Sequence, residues 1–312
     1  MSVTTRIQEL NNRLATNLVS KGVSAEGTET TTELINKVND IESGGTSVIN
    51  PEWTDWRYFS YYDNRNDLVA KLKYSDTANG KNFSNMFYNC TALTSIPQLD
   101  TSNGTDFNRM FLSCTKLHTI PLLNMSNGKN FSYMFNGCYA LTPIPQLDIS
   151  NGTDFSGMFN SCMALTTIPQ VDTSNGKNFS FMFYNCTALT SIPQLDTSNG
   201  TNFGYMFNGC SALTTIPLLN MSNVSGTSWS NMFYNCTALE NVTFEGTIPV
   251  RGNMSVFSYS NKLTVKGLMS FINALTNMSD TATYTITIGS TNLAKLTEEQ
   301  IQIATDKRIT LQ

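Results

Sequence analysis

The pair Met-Phe recurs along this chain with a fixed stride, and no other feature restricts its fold as much. Its methionines stand at 86, 110, 134, 158, 182, 206 and 232, a step of 24 residues five times and 26 once. All seven cysteines keep step, each four residues after its methionine: Cys90, Cys114, Cys138, Cys162, Cys186, Cys210 and Cys236. A unit of about 20–50 residues cannot bury its apolar face alone and must stack on copies of itself.

Each unit has the same grammar. In the first, Phe83, Met86, Phe87 and Cys90 fall at i, i+3, i+4 and i+7, which predicts one or two turns of helix with one buried face. Leu93, Ile96 and Leu99 follow, around an extended Thr-Ser-Ile piece that Pro97 ends. Such a strand can pair with its equivalent in the next coil, about 4.8 Å away. Asp100-Thr101-Ser102-Asn103-Gly104 has turn chemistry, with Gly104 expected to supply positive φ. Stacking then makes ladders: Phe83, Phe107, Phe131, Phe155, Phe179, Phe203 and Trp229 in one, Phe87 to Phe233 in another. Lys81, Lys129 and Lys177 alternate with Asp106 and Asp154, which predicts opposite charges along one edge and control of register.

The cysteines are odd in number and separated by whole coils. Equivalent thiols in adjacent coils point the same way, which suits a disulfide poorly. They are expected to be reduced, buried and apolar in role. No C-x-x-C pair is present to hold zinc, and no metal is expected. Asp100-x-Ser102-x-Gly104 faintly resembles a calcium loop but lacks its terminal Glu.

The chain of 312 residues is 40% hydrophobic and 13% charged, with a net charge of −4. No basic run could follow a phosphate backbone, so nucleic acid is not an expected partner. No apolar stretch approaches the roughly 20 residues of a membrane span. The N-terminal residues lack a secretory leader's pattern, which points to the cytoplasm or to release by lysis. The single histidine, His118, takes a place held by Thr94, Thr142 and Thr166 elsewhere and reads as a surface substitution. Neither a P-loop nor a nucleophile–base set is legible. The chain is therefore expected to be no enzyme and to need no cofactor.

Four regions are expected. Residues 1–43 read as a helical attachment or oligomerisation segment: Ile7, Leu10, Leu14 and Leu18 make one stripe, and Leu34, Ile35, Val38 and Ile41 a second. Residues 44–80 read as a Gly-Ser linker and an aromatic cap containing Trp53 and Trp56. The solenoid follows over 81–250. Residues 251–312 read as a small α/β cap, with helices over 263–275 and 297–304 and strands over 284–288 and 309–311. The fold class is thus an α/β solenoid, a leucine-rich-repeat-like array of seven 24-residue coils between caps.

The coil text, carried by Met86-Phe87, Cys90, Leu93, Ile96 and the Asp100-Thr-Ser-Asn turn, resembles BspA-like leucine-rich repeats. That family is known from bacterial surface proteins and from tailed phages and prophages. The ending, IGSTNLAKLTEEQIQIATDKRITLQ, is similar to the terminal module of phage-encoded members, with Lys307-Arg308-Ile309 in place of a more usual Lys-Gly-Trp. Residues 14–41 are similar to the start of phage tail and baseplate proteins. The resemblance implies a virion protein of the tail or baseplate that binds the host surface, with a bacterial cell-surface adhesin as the alternative. It carries no catalytic residues. Expected partners are a host glycan or protein and, through residues 1–43, other tail proteins or further copies in a homotrimer.

Two positions vary most between coils: those of Asn85, Arg109, Tyr133, Gly157, Phe181, Tyr205 and Asn231, and those of Tyr88, Leu112, Asn136, Asn160, Tyr184, Asn208 and Tyr234. Both are expected to face outward on the helical piece. Tyr88, Tyr133, Phe181, Tyr184, Tyr205 and Tyr234 are the candidate ligand-binding residues, since rings offer contact area at small entropic cost. They equally suit a covering role over the seam between coils. The face of Thr142, Thr166, Thr190 and Gln146 is monotonous by comparison.

Overall fold

The computed structural model describes Asp55, Trp56, Leu72 and residues 74–312 other than Asp280. The expected attachment segment 1–43 and most of the 44–80 cap lie outside the described residues.

The chain forms a repeat solenoid, and its coils are tied by an alternating backbone pattern. Phe83, Asn85, Phe87 and Asn89 donate their N–H groups across to the carbonyls of Asp106, Asn108, Met110 and Leu112 in the next coil, at 2.7–2.9 Å. Met86, Tyr88 and Cys90 donate within the coil to Phe83, Asn85 and Phe87. Odd and even residues thus divide the two kinds of bond, and the N–H groups from Asn85 to Cys90 are all used.

This segment is not the expected helix. Asn85 and Asn89 have φ of 58° and 59°, and the six later Met-Phe coils repeat both left-handed residues. The segment is a chain of tight turns. Each left-handed residue donates its own N–H sideways to the next coil, and the N–H that follows it turns back into its own coil, an alternation that an α-helix cannot make. The i, i+3, i+4, i+7 burial is nonetheless real: Phe83, Met86, Phe87 and Cys90 are all buried. The turn ladder and the helix share that stripe, so spacing alone could not separate them.

The expected strand is also reduced. Residues Thr215–Asn220 (β1) and Asn241–Glu245 (β2) form a parallel pair in the last coils. Earlier coils keep only single bonds, such as His118 N–H to Thr94 O at 3.0 Å and Thr142 N–H to His118 O at 3.1 Å. Proline at 97, 121, 145, 169 and 193 removes the donor that would continue the ladder. Glutamine side chains supply a substitute: Gln98, Gln146, Gln170 and Gln194 each donate Nε2 to a carbonyl of the next coil at 2.6–2.8 Å.

Gly104 does not adopt positive φ. A Cβ there would stand 2.4 Å from Cζ of Phe107. The residue is glycine because the ring lies on it. Asp106 and Asp154 also serve the backbone. Their carboxylates accept the backbone N–H groups of Asn108 and Ser156 at 3.0 and 2.9 Å, and Asn130 and Asn178 do the same work for Ser132 and Ser180. What each rung requires is a side-chain oxygen acceptor.

The thiols are all free and buried. From Cys114 onward each donates to the carbonyl of a phenylalanine in the coil before, for example Cys114 Sγ to Phe87 O at 3.0 Å. Burial pushes the Cys186 and Cys236 thiols up to about 12. The bond reveals an eighth coil, because Ser260 makes it to Phe233 O in place of a cysteine. Val256, Phe257 and Leu263 are buried in the places of Met232, Phe233 and Leu239. Phe257 stacks on Phe233 at 5.2 Å. Coil structure therefore runs past Arg251, where the sequence reading ended it.

The Phe83 ladder closes on a tryptophan at each end. Trp56, buried, donates its N–H to Asn82 O one rung before Phe83. Trp229 meets Phe271 edge-on at 5.9 Å. Phe271 belongs to Val265–Ala274 (α1), capped by Thr264. The remainder is a small α/β unit. Ile248–Val250 (β3) pairs with Leu275–Asn277 (β5), and Met254–Ser255 (β4) pairs with Tyr284–Thr287 (β6), which pairs with Ile309–Leu311 (β7). Glu298–Asp306 (α3), after the short Ser290–Leu293 (α2), opens on a capping box made by Thr297 and Gln300. The last coil is closed by this unit: Val256 donates its N–H to Thr287 O at 3.0 Å, and Lys295 serves the carbonyls further along. Its Nζ donates to the carbonyls of Asn261 and Leu263 at 2.7 and 2.8 Å.

Candidate binding surface

Three columns of side chains run along the turn segment, at the positions of Asn85, Tyr88 and Asn89. The first and third are left-handed in all seven coils. In these seven the third holds only Asn, Ser and Gly: Asn89, Ser113, Gly137, Ser161, Asn185, Gly209 and Asn235; in the eighth coil it is Tyr259, with φ of 65°. Small polar residues tolerate that conformation best. The first holds Asn or Gly in coils one, four and seven, but Arg109, Tyr133, Phe181 and Tyr205 in the others. A large side chain there costs about 1–2 kcal/mol each. The backbone is the same in all seven coils, so it does not call for these four.

Their surroundings differ. The Arg109 guanidinium lies over the Tyr133 ring, 5.6 Å from its centroid. Tyr133 leans onto the next coil, where a Cβ on Gly157 would come within 2.5 Å of it. Phe181 and Tyr205 stack at 4.8 Å and 5°. Tyr184 is tilted by 56° to Phe181 and 59° to Tyr205, which closes a cluster of three rings. Tyr234 meets Tyr259 edge-on at 5.2 Å.

The expected site residues are therefore only partly brought together. Phe181, Tyr184 and Tyr205 form one cluster, and Tyr234 lies in the next coil. Tyr88 and Tyr133 stand in coils one and three. The six are less outward-facing than expected: Tyr205 is 36% exposed, and the other five are half-buried. Asn85 and Gly157, in the same column, are buried. Tyr259, 62% exposed, was missed because its coil lacks the Met-Phe and Cys marks.

A groove of about 570 Å³ lies beside the extended segments of the last coils and is lined by Asp172, Asp196, Asn220 and Glu245. Its polar groups are largely committed. Ser174 holds the Asp172 carboxyl below the usual carboxylate range, through its N–H at 2.9 Å and its hydroxyl. Thr173 and Thr197 donate to carbonyls of the next coil. His118 is exposed, and its backbone serves the rungs on both sides.

Coils joined by parallel rungs, with ring, thiol and amide ladders, define a tandem-repeat solenoid of the BspA-like kind. The chain belongs to the family described as "Mycoplasma protein of unknown function, DUF285", whose model matches twice, over residues 57–168 and 153–266. The second match ends just after Leu263, where the eighth coil ends. No curated protein and no solved structure matches the chain.

Proposed function

We propose that this is a surface-binding structural protein, a tail- or baseplate-associated component of a phage or prophage that attaches to the host cell through its solenoid. In this reading the leucine-rich-repeat-like array is a rigid display scaffold, and residues 1–43 join it to other tail proteins or to further copies in a trimer. The observation that carries it is the first turn column, where large side chains sit at a conformational cost on a backbone that does not need them. Binding rather than catalysis is further supported by the thiols, which burial and hydrogen bonding make inert as nucleophiles. A bacterial cell-surface adhesin is the second reading. It is favoured by the family's description, which names a cellular bacterium.

Purified chain is expected to adsorb to intact host cells. Deleting residues 1–43 should leave adsorption per molecule unchanged and abolish assembly. Absence of adsorption by the full chain contradicts the reading, and unfolding of the repeats on deletion would make that segment a cap. Antibody labelling of virion tails against cell envelopes separates the two readings.

A further inference from the structure

We propose that the rings of coils five to eight form a site for a short stretch of uncharged carbohydrate. This rests on the reading that the turn face recognises a ligand. From Gly157 to Tyr259, every residue in the three turn columns is Gly, Asn, Ser, Phe or Tyr. No charge is present to select a phosphate, a carboxylate or a basic peptide. Phe181, Tyr184 and Tyr205 offer the edges of a stacked pair beside a tilted third ring. Tyr234 and Tyr259 continue the line diagonally over the next two coils. Rings alternating with amides and hydroxyls match a sugar, which has C–H faces between hydroxyl groups.

Size decides between a sugar and a protein. The line spans three rungs, roughly 15 Å at the spacing of paired strands. Three columns wide, it offers a few hundred Å² at most, well short of the ~800 Å² per partner of a stable protein interface. A short oligosaccharide fits it.

The test uses the full chain and three preparations of host cells: untreated, oxidised with periodate to cleave sugar diols, and treated with protease. The variant is Phe181→Asn/Tyr205→Asn, which installs the residue that coils one and seven already carry and so keeps the backbone supported. Adsorption is expected to fall at least about tenfold after periodate, to survive protease and high salt, and to fall about tenfold in the variant. Adsorption that survives periodate and is lost to protease would show a protein ligand and overturn the proposal, as would a variant that adsorbs like the parent. Failure of the parent to adsorb even to untreated cells would instead remove the broader reading.

Discussion

Phe135→Ala is expected to lower the free energy of unfolding by about 3–5 kcal/mol. The ring is fully buried and stacks on Phe111 at 5.5 Å and on Phe159 at 5.6 Å, nearly parallel to both. Its removal leaves a gap between two rings that cannot close, because the rungs of three coils fix their separation. In a one-dimensional stack the loss falls on two interfaces at once. Urea unfolding of the variant checks this. A loss below about 1.5 kcal/mol would mean that the rungs, rather than the ladder, carry the stack.

Gly152→Ala is expected to cost about 1–3 kcal/mol although it adds a single methyl group. The new Cβ would lie 2.4 Å from Cζ of Phe155 and 2.9 Å from the carbonyl oxygen of Ile149. Neither can yield, since the ring is buried in its ladder and the carbonyl is backbone. The chain contains its own control. In coil seven this place is held by Val224, buried, and there two extra residues, Gly226 and Thr227, precede the ring of Trp229. Gly226 has φ of 52° with nothing within 4 Å of a Cβ, so Gly226→Asn should be nearly neutral. Equal thermal shifts in the two variants would show that crowding at Gly152 is not the cause.

The repeat, its core ladders and its buried thiols were legible because each is a matter of period and polarity. The cap was legible for the same reason: Thr297 and Gln300 announce α3, and the Tyr284 and Ile309 segments pair as strands. The turn ladder was not, because Phe83, Met86, Phe87 and Cys90 have the spacing of a helix. The sign of it lay in the third column, where Asn, Ser or Gly in each of the seven Met-Phe coils marks positive φ. Coil eight was hidden because Val256 is buried in the place of Met and Ser260 makes the hydrogen bond of Cys without their letters. The ring cluster was half legible. The first column's variability singles out Phe181 and Tyr205, but only the backbone angles show that their size is costly.

The central claim is that recognition lies on the turn columns and not on the threonine and glutamine face. The direct measurement compares two triple variants for adsorption to host cells, Tyr133→Asn/Phe181→Asn/Tyr205→Asn against Thr142→Ala/Thr166→Ala/Thr190→Ala. Adsorption is expected to be lost in the first and kept in the second. In the first set, relief of left-handed strain offsets the lost ring contacts, so its stability should stay within about 1 kcal/mol of the parent per site. Loss of adsorption only in the threonine set would place the binding surface on the other face and contradict the claim.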